Sequence, residues 1–436
     1  MASTYLTRTV SSASNRKTWT YSAWIKRSGG IGNTQTLLVS WSDGNNHSKI
    51  RLESDKVHVY DLTGGSFSYQ VKTNRLLRDT NAWYHIVVAF DTTQATASNR
   101  LKIYINGEQE TSLAESSYPA EDYEGFINRN RVHSIGYNAN NSNYFDGSMS
   151  HINLVDGTAL TPSAFGSTDS TTGEWKINTS PSVTYGTNGF FILKDGNSVT
   201  DQSGQGNNWT VQGGTLTKTE DNPSNVFATL NPLYNSGGTV TYANGNNNLA
   251  ESDNQWKTTF STLGASSGKY YAEFKAKGNY YMIGVADYNV TKSGTADRNF
   301  SSTTVISEQG YGYYNGNGDL YYRGSSTSYG ATYGNGDIVQ VALDCDNNRV
   351  FFGKNGTWQN SADPTNASTG FSMTATNATY VFAVAVQNNN LDCNFGNGYF
   401  GTTAVSSAGT NASGIGIFEY DVPTGYTALS TKGLNE

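Results

Sequence analysis

Charge, proline, cysteine and long apolar runs are all scarce in this chain. Of its 436 residues, 14% are charged, seven are proline and two are cysteine. Two thiols exclude a disulfide framework as the source of stability. Cys345 and Cys393, each closing a Leu-Asp-Cys triplet, read as small strand side chains. A single bridge stays open if their strands are neighbours, and reduced thiols are expected if the protein matures in the cytosol. The formal net charge is -7 and no run of Lys and Arg accompanies it. Neutralising phosphates needs such a run, so nucleic acid is excluded as a partner. No apolar stretch approaches the roughly 20 residues that cross a bilayer, so membrane insertion is not expected. The opening MASTYLTRTVSSASNRK lacks the apolar core of a secretory signal, which predicts a product made and used without that route.

Aromatics make up 13% of the chain, with 29 Tyr, and there are 47 Gly. That balance suits strands punctuated by many turns, and it excludes disorder. Short alternating runs recur between Gly/Asn/Asp/Ser clusters, the pattern of antiparallel sandwiches. In RLKIYING, Leu101, Ile103 and Ile105 point one way and Lys102 and Tyr104 the other, before an Asn106-Gly107 hairpin turn. WYHIVVAF (83–90) is apolar on both faces, as an interior strand should be, and TPSAF (161–165) allows one helical turn. Periodicity is lost over residues 217–232, which reads as a linker with two prolines. Beyond it, KYYAEFKAK places Tyr270, Ala272, Phe274 and Ala276 inward and Lys269, Tyr271, Glu273, Lys275 and Lys277 outward. Val339, Val341, Leu343 and Cys345 share a face, Asp346–Asn348 turns the chain, and Phe351 and Phe352 return to the core.

TYSAWIKRS, WYHIVVAF, LKIYINGEQ and YFDGSMSHINLVDGTAL resemble the laminin-G, concanavalin-like jelly roll, over residues 1–216. SSGKYYAEFKAKG, GYGYYNGNGDLYYRG, YGNGDIVQVALDCDNNRVFFGKNG and YVFAVAVQNNNLDCNFG resemble a SPRY sandwich, over residues 233–402, with a C-terminal arm at 403–436. The pairing of the two, with DQSGQGNNWT, NPSNVFATLNPL and the GYTALSTKGLNE ending, is similar to phage and prophage virion proteins of marine type. The fold class expected is therefore all-β, two antiparallel sandwiches. The resemblance implies a virion protein made in the host cytoplasm, with other virion proteins as partners and homo-oligomerisation open.

Chemistry is thin. Glycan hydrolysis in a jelly roll needs carboxylates alternating on one strand. Glu53/Asp55 and Glu251/Asp253 begin that pattern without completing it, and Glu121, Asp122 and Glu124 have the wrong alternation. GASSG (264–268) lacks the strand–helix context of a nucleophile elbow. The five histidines, His47, His58, His85, His133 and His151, show no zinc-ligand spacing. Asp344, Asp346 and Asn348 read as a turn, not as a calcium loop. The laminin-G resemblance leaves a calcium site open at Asp43, Asp61 or Asp146; no other cofactor is expected.

What remains is a surface of Tyr, Asn, Ser and Gly, a composition suited to recognition. SWSDGNNHS supplies Trp41 and Asn45. GYYNGNGDLYYRGSSTSYG supplies Tyr313, Tyr314, Tyr321, Tyr322 and Tyr329, expected to line an exposed face. The expected role is a non-catalytic tail-fibre-like adhesin or decoration module binding a host-surface glycan or protein. The alternatives are a structural bracket between capsid or tail proteins and, more remotely, a glycan-processing enzyme.

Overall fold

A computed structural model describes residues 3–139, 143–194, 196, 198–235, 240–252, 254–291, 299–301, 310–322, 324–374 and 378–435. The chain divides into two units, Met1–Lys218 and Thr219–Glu436.

In the first unit the alternating runs pair into an eight-stranded antiparallel sheet. Its order is Leu113–Ser117, Ser66–Thr73, Lys56–Thr63, Asn46–Glu53, Gln35–Asp43, Val132–Ile135, Tyr5–Thr9, Thr210–Gln212. A six-stranded sheet is ordered Phe190–Ile192, Gly147–Asp156, Thr18–Arg27, Trp83–Asp91, Leu101–Ile105, Glu108–Gln109. Leu38, Ile50, Val59 and Val71 of the first sheet meet Tyr21, Ile86, Val88 and Ile103 of the second in one core. The opposite side of the Trp83–Asp91 strand is apolar too, with Val87 and Ala89 against Phe165, Tyr185 and Phe191. A single 3-10 turn forms at Pro162–Ala164. Asn106 and Gly107 turn with φ of 50° and 84°. A Cβ on Gly107 would lie 2.4 Å from the Trp175 ring, so that position needs glycine for space as well as for φ. Trp175 Nε1 donates to His85 Nδ1 at 2.9 Å, and His85 Nε2 faces Ser22 Oγ at 2.9 Å. Burial pushes His85 down to about 3, so it stays neutral.

Beneath the sandwich a buried ion cluster ties three segments together. Asp55, at φ 67°, accepts from Arg27 and Arg78 at 2.7 Å each and from the Gly32 N–H at 2.6 Å. Burial alone would raise the Asp55 carboxyl; the two guanidinium groups outweigh it and hold the group low.

The second unit is also a sandwich. One sheet runs Leu230–Asn235, Lys257–Ser261, Tyr380–Val386, Tyr281–Asp287, Gly310–Tyr314, Asp319–Tyr322, Ser325–Ser328. The other runs Val240–Ala243, Asn248–Glu251, Asn390–Asn394, Lys269–Ala276, Ile338–Asp344, Arg349–Lys354, Thr357–Trp358, with Phe371–Ser372 and Thr427–Ala428 added off this path. Val339, Val341, Leu343, Cys345 and Phe352 fill the core beside Tyr270, Ala272, Phe274 and Ala276. Cys345 and Cys393 are free and buried. The Lys269–Ala276 strand lies between theirs.

Two expectations are corrected here. Residues 219–232 are not a free linker: Phe227, Ala228 and Leu230 are buried in the second unit, and the Ala228 N–H donates to Leu429 O at 2.9 Å. Tyr271 and Glu273 do not face solvent either. Phe418, Val422, Tyr426 and Ala428 of the C-terminal segment lie over Tyr271 and Phe351. Glu273 accepts from the Glu419 and Tyr420 N–H groups at 2.8 Å each, from Tyr271 Oη at 2.9 Å and from Asn394 Nδ2 at 3.4 Å. Burial outweighs those donors and pushes Glu273 up to about 7.

Candidate functional site

In the first unit, the side of the eight-stranded sheet away from the core carries a continuous aromatic and cationic patch. Period two puts it there: Ile50, Leu52, Val57 and Val59 point into the sandwich, so His47, Lys49, Arg51, His58 and Tyr60 point out. Register then aligns them, with Trp41 opposite His47, Lys49 opposite Tyr60, and Arg51 opposite His58.

Trp41 stacks on His47 with centroids 5.1 Å apart. Tyr60 meets His58 at 4.8 Å and Phe67 at 5.4 Å. The Lys49 ammonium lies 5.3 Å from the Trp41 centroid and 5.9 Å from that of Tyr60, whose ring also lies 4.6 Å from Arg51 Cζ. Phe67 is 49% exposed and Trp41 is half-buried. Glu53 gathers the other cations: it pairs with Arg51, with Lys72 at 2.6 Å and with His58 Nδ1 at 3.1 Å. The His58 bond, ahead of burial, which opposes it, and of Lys72 and Arg51, holds Glu53 well below the usual carboxylate range. Lys49 has no such partner among the described residues. Burial, then the neighbouring Arg51, pushes it down to about 8. His47 Nδ1 faces the Asp43 carbonyl at 3.2 Å, and burial takes His47 down to about 4. The Nε2 atoms of His47 and His58 and the Nε of Arg51 are buried without a hydrogen-bond partner. Buried polar groups without partners are costly to a fold, and others lie elsewhere, as at Trp24, Trp209 and Asn246.

Of the residues expected here, Trp41 belongs to the patch. Asn45 sits on the exposed turn beside it, its N–H on Asp43 Oδ1 at 2.8 Å. Lys49, Arg51, His58 and Tyr60 were missed, although the alternation in NHSKIRLESDKVHVYDL carries them.

In the second unit the five tyrosines divide by parity. Tyr313 and Tyr329 are buried, against the expectation of exposure. Tyr313 shares the inward phase of Tyr311 and donates to Ala331 O; Tyr329 Oη receives the Phe352 N–H at 3.2 Å and packs on Phe352. Tyr322 also lies on that side, 4.9 Å from Phe371. Tyr314 and Tyr321 point the other way and form a half-buried aromatic platform with Trp256: Tyr314 is 6.1 Å from Trp256 and 5.7 Å from Tyr321. The glycines mislead in this strand. Gly312 reads as loop, yet it is a strand residue whose missing side chain admits Phe300, 2.5 Å from a would-be Cβ.

Among the described residues no group of three or more His, Cys, Asp or Glu is placed to hold a metal ion. Asp61 accepts from Ser48 Oγ, Tyr123 Oη and the Phe126 N–H, at 2.5, 3.0 and 3.3 Å, so its oxygens are committed within the protein. Asp43 caps its own turn through Asn45 and Asn46. Asp146 is raised by burial. Glu53 and Asp55 serve separate ion clusters. Glu121, Asp122 and Glu124 each pair with a cation, Arg100, Lys17 and Arg16. Glu251 is buried and receives the Asn388 N–H at 2.5 Å; Asp253 lies outside the described residues. Asp344 pairs with Lys269 on the neighbouring strand at 3.0 Å and accepts from the Asn347 N–H of the turn at 3.0 Å. No described helix is long and apolar enough to cross a membrane.

Residues 2–164 match the concanavalin A-like lectin/glucanases superfamily, and residues 269–398 match the SPRY domain. The chain therefore combines a concanavalin-like domain with a SPRY domain. Among solved structures, it is similar to the SPRY domain of human HERC1, with 19% identity over 38% of this chain and 96% of that one, at a TM-score of 0.30. It is similar to a second human SPRY domain, with 12% identity over 36% and 94%, at 0.27. It is also similar to domain 4 of AbnA, an extracellular arabinanase from Geobacillus stearothermophilus solved with arabinotriose, with 19% identity over 34% and 65%, at 0.27. No curated protein matches the chain.

Proposed function

We propose that this chain is a non-catalytic binding protein of a phage virion surface, a tail-fibre-like adhesin or decoration module, and that it contacts a host-surface glycan through the first unit. The observation that carries the reading is the patch of Trp41, Lys49, Tyr60 and Phe67. Trp41 and Phe67 offer partly exposed rings, and the buried Lys49 ammonium against Trp41 and Tyr60 has no counter-ion among the described residues. Aromatic faces with a few convergent polar groups are what a sugar-binding surface needs. The pairing of a concanavalin-like with a SPRY domain, and the resemblance of the whole chain to virion proteins, support the setting.

Two measurements test it together. Gold labelling or cryo-electron microscopy of particles locates the chain, and binding of the purified chain to host cells is compared with that of Trp41→Ala. Host binding lost in Trp41→Ala, with the chain at an exposed position, is the expected result. A chain seated between capsid or tail proteins that does not bind cells would make it a structural bracket instead. Bond cleavage in a bound glycan would contradict the absence of catalysis.

A further inference from the structure

Resting on that binding reading, we infer that the patch recognises an acidic sugar, whose carboxylate or sulfate group sits on the Lys49 ammonium while its ring lies against Trp41. Charge pairing on this face is the reason. Arg51, Lys72 and His58 all converge on Glu53. Among the described residues Lys49 is left over, and its partners there are the rings of Trp41 and Tyr60. An ammonium set into a sheet face with no anion beside it is costly, and an arriving anion removes that cost. A neutral sugar would leave the ammonium as it is.

The neighbours select a sugar over a bare anion. Trp41 and Phe67 offer apolar faces to ring CH groups. His47 places Nδ1 on a carbonyl and His58 places Nδ1 on a carboxylate, so each carries its proton there. Their buried Nε2 atoms are left as acceptors, so neither histidine adds a second site for an anion.

The test measures retention of the intact chain in affinity gels. The gels hold polygalacturonate, its methyl ester, dextran sulfate, dextran or poly-L-glutamate. The acid form is expected to bind about tenfold more tightly than its neutral counterpart, the gain of one charge-assisted contact. The polygalacturonate and dextran sulfate arms separate a carboxylate from a sulfate. Lys49→Gln should erase the preference and keep the weaker neutral binding, while Lys102→Gln, on the other sheet, should change nothing. If Lys49→Gln does not fold, the wild-type protein still decides: raising NaCl from about 0.05 to about 0.5 M should weaken acidic binding alone. Equal retention on acid and ester, a preference that survives in folded Lys49→Gln, or equal retention on poly-L-glutamate each overturns the inference. Retention on neutral polymers alone overturns the acidic preference and leaves the binding reading standing. No retention on any of the five overturns both.

Discussion

The two sandwiches of this chain solve one problem in opposite ways. Each has a sheet whose second face lies outside the main core. In the first unit that face holds Trp41 and Arg51, which stay half-buried, and Lys49 and Tyr60, which are buried. In the second unit, the face bearing Tyr271 and Glu273 is closed by Phe418, Val422 and Tyr426 from the end of the same chain. The charge differs too. Residues 1–218 contain eighteen Lys and Arg against eighteen Asp and Glu, and residues 219–436 contain ten against seventeen, so the second unit carries the whole net charge. All five histidines fall in the first. Alternation alone therefore does not say whether an outer face is a surface. What decides is whether a later segment lies over it.

The largest effects come from breaking what each unit buries. Arg27→Ala leaves Asp55 buried with one of its two guanidinium partners gone, and should cost the first unit about 3–5 kcal/mol. Tyr426→Ala and Tyr313→Ala should each cost the second unit a similar amount, about 3–5 kcal/mol, by opening cavities. Urea unfolding followed by hydrogen exchange in each unit checks this. Destabilisation should stay within the unit that carries the change.

Next in size are opposite responses to pH. Burial lowers His85 to about 3 and His133 to about 4, so their neutral forms support the first unit fully above pH 6.5. That support is lost as pH falls, by about 3 kcal/mol for each histidine near pH 4. Asp61, raised to about 6 by burial, runs the other way and offsets part of the loss. In the second unit Glu273 is raised from 4.5 to about 7, so the fold prefers its protonated form. Its contribution is complete below pH 4.5 and lost as pH rises through 7, again about 3 kcal/mol. Exchange protection measured at pH 5 and pH 8 should favour the second unit at the lower pH and the first at the higher. Glu273→Gln should flatten the second unit's response.

The smallest effect on stability sharpens the parity argument. Tyr314→Ala and Tyr321→Ala remove half-buried rings and should cost about 1 kcal/mol, well below Tyr313→Ala one residue away. Thermal unfolding of the three variants side by side checks the ranking.

Much of the fold was legible in local patterns. Leu101, Ile103 and Ile105, or Val341 and Leu343, declare their inner face by period two, and Asn106-Gly107 declares its turn. The site was legible only in part. Trp41 stood out as an aromatic in a polar loop. Lys49 and Tyr60 did not, because a lysine between apolar residues reads as an ordinary outward strand position. Tyr313 and Tyr329 were misplaced because glycine-rich composition resembles loop, whereas the glycines here make room for Phe300 and for turns between strands. The burial of Tyr271 and Glu273 depends on residues about 145 positions later, at Glu419 and Tyr420. No local period can report that.

One comparison tests the central claim most directly: retention of the intact chain on immobilised polygalacturonate, with Trp41→Ala set against Tyr314→Ala. Trp41→Ala should weaken retention at least about tenfold, because it removes the ring that walls Lys49, while Tyr314→Ala should bind like the wild type. Loss of retention in Tyr314→Ala with Trp41→Ala unaffected would contradict the account and move the binding face to the second sandwich.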